Sequence, residues 1–94
     1  MVTLGEYRKP WVIVSNNARN SRLGSSLGVR ITTSKKPELD SIVELTRDDG
    51  LTGRVLCDDI TVIYHDELEE LRGALTPATM MRINTGLQAA LALR

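Results

Sequence analysis

Between Pro10 and Ile63 the apolar residues come in short β-branched runs, and Asn, Asp, Gly or Ser closes each before it could fill a helix. Trp11 to Val14 is a continuous apolar strand that stops at Ser15-Asn16-Asn17. Asn16 to Ser26 reads as a polar loop rich in turn formers. Leu27 to Thr33 alternates, so Val29, Ile31 and Thr33 share one face and Arg30 and Thr32 the other. Further strands are expected at Val2-Thr3-Leu4, Ile42–Leu45, Val55–Cys57 and Ile60–Ile63, with a turn at Gly5–Arg8 and an acidic helical turn at Asp66–Leu71. Many short strands with turns between them specify a small antiparallel barrel or curled sheet.

The period changes only at the end. Thr76 suits an N-cap, and Pro77 the first helical position, where its missing N–H is not needed. Met80, Ile83, Leu87, Ala90 and Leu91 then recur at helical spacing, which predicts one helix over about 77–93 with an apolar stripe. The expected class is mainly β (α+β), with strands within 2–75 in a single domain spanning 1–94.

With 94 residues, no Phe and only Tyr7, Trp11 and Tyr64 as aromatics, the core is small, and a second subunit is expected to complete it. A lone cysteine, Cys57, forms no internal disulfide, and the chain has no long apolar run. A soluble cytoplasmic protein, not bound to a membrane, is the expectation. The zero net charge is unevenly spread. Up to Pro37 seven cations face Glu6 alone, whereas from Glu38 to Arg72 eleven acids face Arg47, Arg54 and Arg72. A basic first third suits a phosphate-bearing partner, though both signs could also mix on one folded surface.

In order, Lys9-Pro10, Val12-Ile13-Val14-Ser15-Asn16, Ile31-Thr32-Thr33-Ser34, Leu51-Thr52-Gly53, Asp59-Ile60 and Leu75-Thr76-Pro77 form a pattern covering nearly the whole chain from Lys9 onward. That pattern resembles the MazF/PemK family of toxin endoribonucleases. Two departures stand out: Lys9 occupies the place where the family usually has Arg, and the first strand and its following loop are short. The resemblance implies a Src-homology-3-like antiparallel barrel with a carboxyl-terminal helix. It also implies a homodimeric type II toxin that cleaves single-stranded RNA without metal or cofactor and is neutralised by a cognate antitoxin. The implied reaction is attack of the substrate's own 2′-hydroxyl on the adjacent phosphate, which needs a base, an acid and stabilisation of the crowded phosphate.

On that reading Thr32 aligns with the family's active-site threonine, Lys9 replaces its catalytic arginine, and Arg30, on the Thr32 face, can grip a phosphate bidentately. Arg8, Ser15, Asn16, Asn17, Arg19, Asn20, Arg22, Thr33 and Ser34 are candidate RNA contacts; the asparagines are equally turn formers, and Arg19 and Arg22 equally surface charges. Asp58 and Asp59, as neighbours on a strand, point to opposite faces and read as structural. His65 reads as an isolated surface residue, and Cys57 as a small buried one. Two alternatives remain: a CcdB-like gyrase poison, whose family ends Trp-Gly-Ile where this chain ends Leu91-Ala92-Leu93-Arg94, and a non-catalytic RNA-binding barrel.

Overall fold

The computed structural model describes residues 2–4, 10–68 and 70–92, with the backbone alone for 70–72. Six antiparallel strands are found among them: β1 (Val2–Leu4), β2 (Pro10–Ile13), β3 (Ser25–Thr32), β4 (Ile42–Glu44), β5 (Arg54–Tyr64) and β6 (Glu70–Gly73). Their spatial order is β4-β5-β3-β2-β1-β6. Two α-helices, α1 (Asn17–Leu23) and α2 (Pro77–Leu91), are also found among the described residues. The expected turn at Gly5–Arg8 lies outside the described residues.

β5 is one strand where two were expected. Val29 pairs with Ile60 but the next residue, Arg30, pairs with Leu56, so Cys57, Asp58 and Asp59 form an extended bulge. Such a bulge bends its strand and increases the local twist, and here it lets β5 serve both β3 and β4. Ser41 braces the bend. Its carbonyl accepts the Cys57 N–H (2.9 Å) and its hydroxyl donates to Asp58 Oδ2 (2.8 Å).

The predicted loop at 16–26 contains α1, and β3 begins earlier, at Ser25. The Asn16 side chain caps the helix by accepting the Arg19 N–H (2.9 Å), and Gly24 ends it in the left-handed conformation. The predicted acidic helical turn is a 3-10 turn, His65–Glu67, followed by β6, which pairs along the outer side of β1. α2 starts as expected, with the Thr76 hydroxyl accepting the Thr79 N–H, but ends at Leu91 rather than Leu93.

One face of the sheet packs on α2. Val12, Val29, Ile31, Val43, Val55, Cys57 and Ile83 are buried there, with Met80 and Leu87 partly buried against them, whereas Leu91 stays exposed. The helix lies close against the sheet at Gly86, where a Cβ would stand 2.8 Å from the Cys57 sulfur and 3.2 Å from the Asp40 carbonyl oxygen.

The loop joining β4 to β5 is tied to the start of α2 by Asp49, a buried carboxylate. Its Oδ2 accepts the Thr46 N–H (2.8 Å), the Thr46 hydroxyl (2.9 Å) and the Thr79 hydroxyl (2.8 Å), while Oδ1 accepts the Thr76 N–H (2.9 Å). Burial works against the charge, but the two amides and two hydroxyls outweigh it and hold the carboxyl well below the usual carboxylate range. That anchor fixes the segment leading into Gly53 and Arg54.

Candidate active site

On the sheet face away from the core, the pairing builds two rows. Trp11 stands opposite Arg30, Arg30 opposite Leu56, and Leu56 opposite Ile42. In the next row Thr32 stands opposite Arg54, and Arg54 opposite Glu44. Directly paired residues on antiparallel strands carry their side chains on one face, with Cβ atoms roughly 5 Å apart. Thr32 is therefore flanked by Arg54 across the ladder and by Arg30 two residues back on its own strand.

Thr32 closes β3 and is largely buried. Its Oγ1 accepts the Ser34 N–H (3.1 Å), which fixes the hydroxyl oxygen and leaves its proton free to be donated outward. The backbone beneath it is held by Gly53, whose φ is +128°; a Cβ there would lie 2.5 Å from the Thr32 carbonyl oxygen. Among the described residues no hydrogen bond or ion pair ties down the Arg30 guanidinium. Arg54 makes a loose ion pair with Glu44 at 3.6 Å. After Thr32 the chain runs exposed through Thr33, Ser34, Lys35 and Lys36. Thr33, expected to share the face of Val29 and Ile31, lies beyond the strand and is exposed.

Lys9 and Arg8 lie outside the described residues. Pro10, the next residue after Lys9, opens β2 at the end of the sheet where Thr32 closes β3, because β2 and β3 run antiparallel with Trp11 opposite Arg30.

The remaining candidates gather at the other end of β3, roughly 20 Å away along the strand. Three of them form an internal network. Ser15 Oγ donates to Asn20 Oδ1 (2.6 Å) and accepts the Leu27 N–H (2.8 Å). Asn20 is buried and donates to the Ser15 carbonyl (3.2 Å), and Arg19 donates to the Ser25 carbonyl (3.0 Å). These side chains lash α1 to β2 and β3, which leaves Asn16, Asn17 and Arg22 as the exposed candidates there.

Arg54 joins the candidate site only through the fold. In the sequence it is one more charge, since nothing local in Gly53-Arg54-Val55 reveals that Arg54 stands opposite Thr32. His65, though exposed, has a partner: its Nε2 lies 3.1 Å from the Ser26 hydroxyl. Cys57 is fully buried, and burial, with Asp58 adding a like charge, pushes its thiol up to about 11. Among the described residues no three His, Cys, Asp or Glu side chains are grouped to hold a metal ion, and no helix is long and apolar enough to cross a membrane.

Residues 3–91 match the model of the PemK-like, MazF-like toxin of type II toxin-antitoxin systems. The chain belongs to that family. It is 46% identical over 90 residues to Endoribonuclease MazF1 of Mycobacterium bovis, covering 96% of this chain and 85% of the relative. A solved mycobacterial endoribonuclease in complex with its cognate antitoxin superposes with a TM-score of 0.92 at 42% identity, covering 99% of this chain and 92% of that one. A MazE-MazF crystal structure from Deinococcus radiodurans gives a TM-score of 0.84 at 20% identity, over 99% of this chain and 93% of that one, and so shares the fold. The antiparallel sheet and carboxyl-terminal helix of this chain, shared with these solved structures, make the mainly β, barrel-like fold that the resemblance implied, and the family match does not favour the gyrase-poison alternative.

Proposed function

We propose that this chain is the toxin of a type II toxin–antitoxin pair, a cytoplasmic endoribonuclease that cuts single-stranded RNA. The observation that carries the assignment of the site is the position of Thr32, whose oxygen accepts the Ser34 N–H and whose side chain shares one sheet face with Arg30 and Arg54.

A base removes the proton of the substrate's 2′-hydroxyl, and that oxygen attacks the neighbouring phosphorus. The bond from phosphorus to the 5′-oxygen breaks, and an acid returns a proton to the departing oxygen. The products are a 2′,3′-cyclic phosphate and a 5′-hydroxyl. Negative charge accumulates on the non-bridging oxygens as phosphorus becomes crowded, and donors already in place stabilise it without reorganisation. Thr32 donates its hydroxyl proton to one such oxygen. Arg30 supplies a planar guanidinium, which grips a phosphate through two parallel hydrogen bonds. Lys9 supplies the cation, or the acid at the leaving oxygen, that the family usually draws from arginine. A lysine ammonium is a compact charge with three donors and suits either task. Thr33 and Ser34 continue the contact beyond Thr32. Arg8 is a further RNA contact, and Asn16, Asn17 and Arg22 serve the RNA farther along, with Ser15, Arg19 and Asn20 holding that segment in shape.

The protein works as a homodimer, as the small aromatic-poor core suggests, and an antitoxin silences it by laying an extended acidic and apolar segment across the RNA-binding face. The complex described for the mycobacterial relative supports that partnership.

The deciding experiment incubates the purified chain with single-stranded RNA in excess chelator, under single-turnover conditions. Cleavage should leave cyclic phosphate, or its opened product, on the 5′ fragment. Thr32→Ala and Lys9→Ala should each slow the step by about 10²–10³, the usual loss for one preorganised donor. RNA binding without cleavage by the wild type would favour the non-catalytic barrel. Wild-type rates in both variants would move the site elsewhere.

A further inference from the structure

Beside Thr32 the surface folds into a cavity of about 220 Å³, lined by Lys35, Lys36, Pro37, Glu38, Ile42, Glu44 and Arg54. Glu44 and Arg54 also line a second cavity, of about 690 Å³, to which Arg47 adds another cation. Arg54 therefore stands where the two hollows meet. It is directly opposite Thr32 in the β3–β5 ladder and only 26% exposed, so its stem lies along the sheet and not out in solvent.

Its present partner is a poor one. The Glu44 carboxylate lies 3.6 Å from Arg54 Nη2, too far for a hydrogen bond, and Glu44 is 73% exposed. An exposed, loosely held ion pair is worth little. Nearly all the donors of the guanidinium fork are thus available to an anion that presents two oxygens in one plane.

We infer that Arg54 is a substrate-phosphate-binding residue, taking an RNA phosphate next to the one at Thr32, with Glu44 as the weak anion that the phosphate displaces. The inference rests on the endoribonuclease reading for the identity of the ligand. Lys35 and Lys36 add point charges on the Thr32 side, and Arg47 adds one on the far side, so the strand's backbone follows a line of cations across the Thr32–Arg54–Glu44 row. Glu38 and Glu44 keep the cavity's net charge near that of one cation. That small excess tolerates an exchanging substrate phosphate better than a permanently bound ion.

The test uses a labelled single-stranded RNA with 2′-O-methyl groups, which lacks the attacking hydroxyl, and follows binding by fluorescence anisotropy over a salt series. Arg54→Ala should weaken binding about 10-fold at low salt, in keeping with one lost charge-assisted contact. It should also lower the slope of log affinity against log salt by about 0.7, the share of one neutralised phosphate on a single strand. Arg54→Lys should retain that slope while losing part of the affinity, because it keeps the charge and lacks the fork. Glu44→Gln should bind more tightly than the wild type. Should Arg54→Ala fail to fold by circular dichroism, Arg54→Gln keeps the stem and should show the same loss.

Unchanged affinity and slope in the folded Arg54 variant, or weaker binding by Glu44→Gln, would overturn the inference. A wild type that binds the methylated RNA but leaves unmodified RNA intact would refute the endoribonuclease reading and leave the role of Arg54 to the binding series. A wild type that binds neither RNA would overturn both.

Discussion

The Thr79 hydroxyl, in the first turn of α2, donates to Asp49 Oδ2 at 2.8 Å, joining residues thirty positions apart in the chain. With the amides of Thr46 and Thr76, this bond makes one carboxylate the joint between the β4–β5 loop and the helix.

Asp49 should therefore control stability in acid. Its folded pKa lies below the unfolded value of about 3.9, so its contribution is fully present above that pH and is lost as pH falls further. Asp49→Ala should cost about 3 kcal/mol at neutral pH, the scale for losing charge-assisted hydrogen bonds at a buried site. Urea unfolding from neutral to strongly acid pH should show the gap to wild type narrowing as the carboxyl protonates. A gap that stayed constant would rule out the ionised form as the source.

Gly86 should resist substitution despite lying in a helix. Glycine to alanine in a helix interior ordinarily gains about 1 kcal/mol, but here the new methyl meets the Cys57 sulfur at 2.8 Å and the Asp40 carbonyl at 3.2 Å. Overpacking of this kind costs about 1–3 kcal/mol. Gly86→Ala should be net destabilising in denaturant melts, and adding Cys57→Ala should recover part of the loss through coupling between the two sites. A more stable Gly86→Ala protein would show that helix and sheet have room to part.

Cys57 should be chemically silent in the folded protein. The thiol is fully buried and its pKa is raised to about 11, so little thiolate exists near neutral pH. A disulfide-exchange reagent should label it only after unfolding. Rapid labelling of the native protein would place the sulfur at the surface.

Gly53→Ala should damage activity through Thr32 without touching substrate. The added methyl would crowd the Thr32 carbonyl at 2.5 Å, and the backbone at φ +128° disfavours any side chain. A displacement of about 1 Å at a reacting group can cost on the order of 10²-fold in rate. Single-turnover cleavage should fall by that order while circular dichroism keeps its β signal. An unchanged rate would mean that Thr32 is positioned from elsewhere or is not in the site.

The sequence alone determined the strand-rich body, the helix after Thr76-Pro77 and the family pattern. Each of these rests on local rules: β-branched runs closed by turn formers, a capping hydroxyl before proline, and motifs in a recognisable order. Even α1 had a local signature, with Asn16 to cap it and Gly24 to end it, but its polar, turn-forming residues hid it within an apparent loop. Tertiary structure decided the rest. The bulge at Cys57–Asp59 depends on pairing with β3, on the brace from Ser41 and on the close approach of α2 at Gly86, none of which the local run of residues contains. β6 forms along β1 at the outer edge of the sheet, where the short stretch Glu70-Leu71-Arg72-Gly73, with weak strand propensity of its own, takes up free backbone donors and acceptors. Arg54 stands opposite Thr32 by register, because cross-strand neighbours are set by how strands align and not by distance along the chain. The same register left Asn20 and Arg19 bracing the far end of β3, since a polar side chain bends inward wherever buried backbone groups need partners.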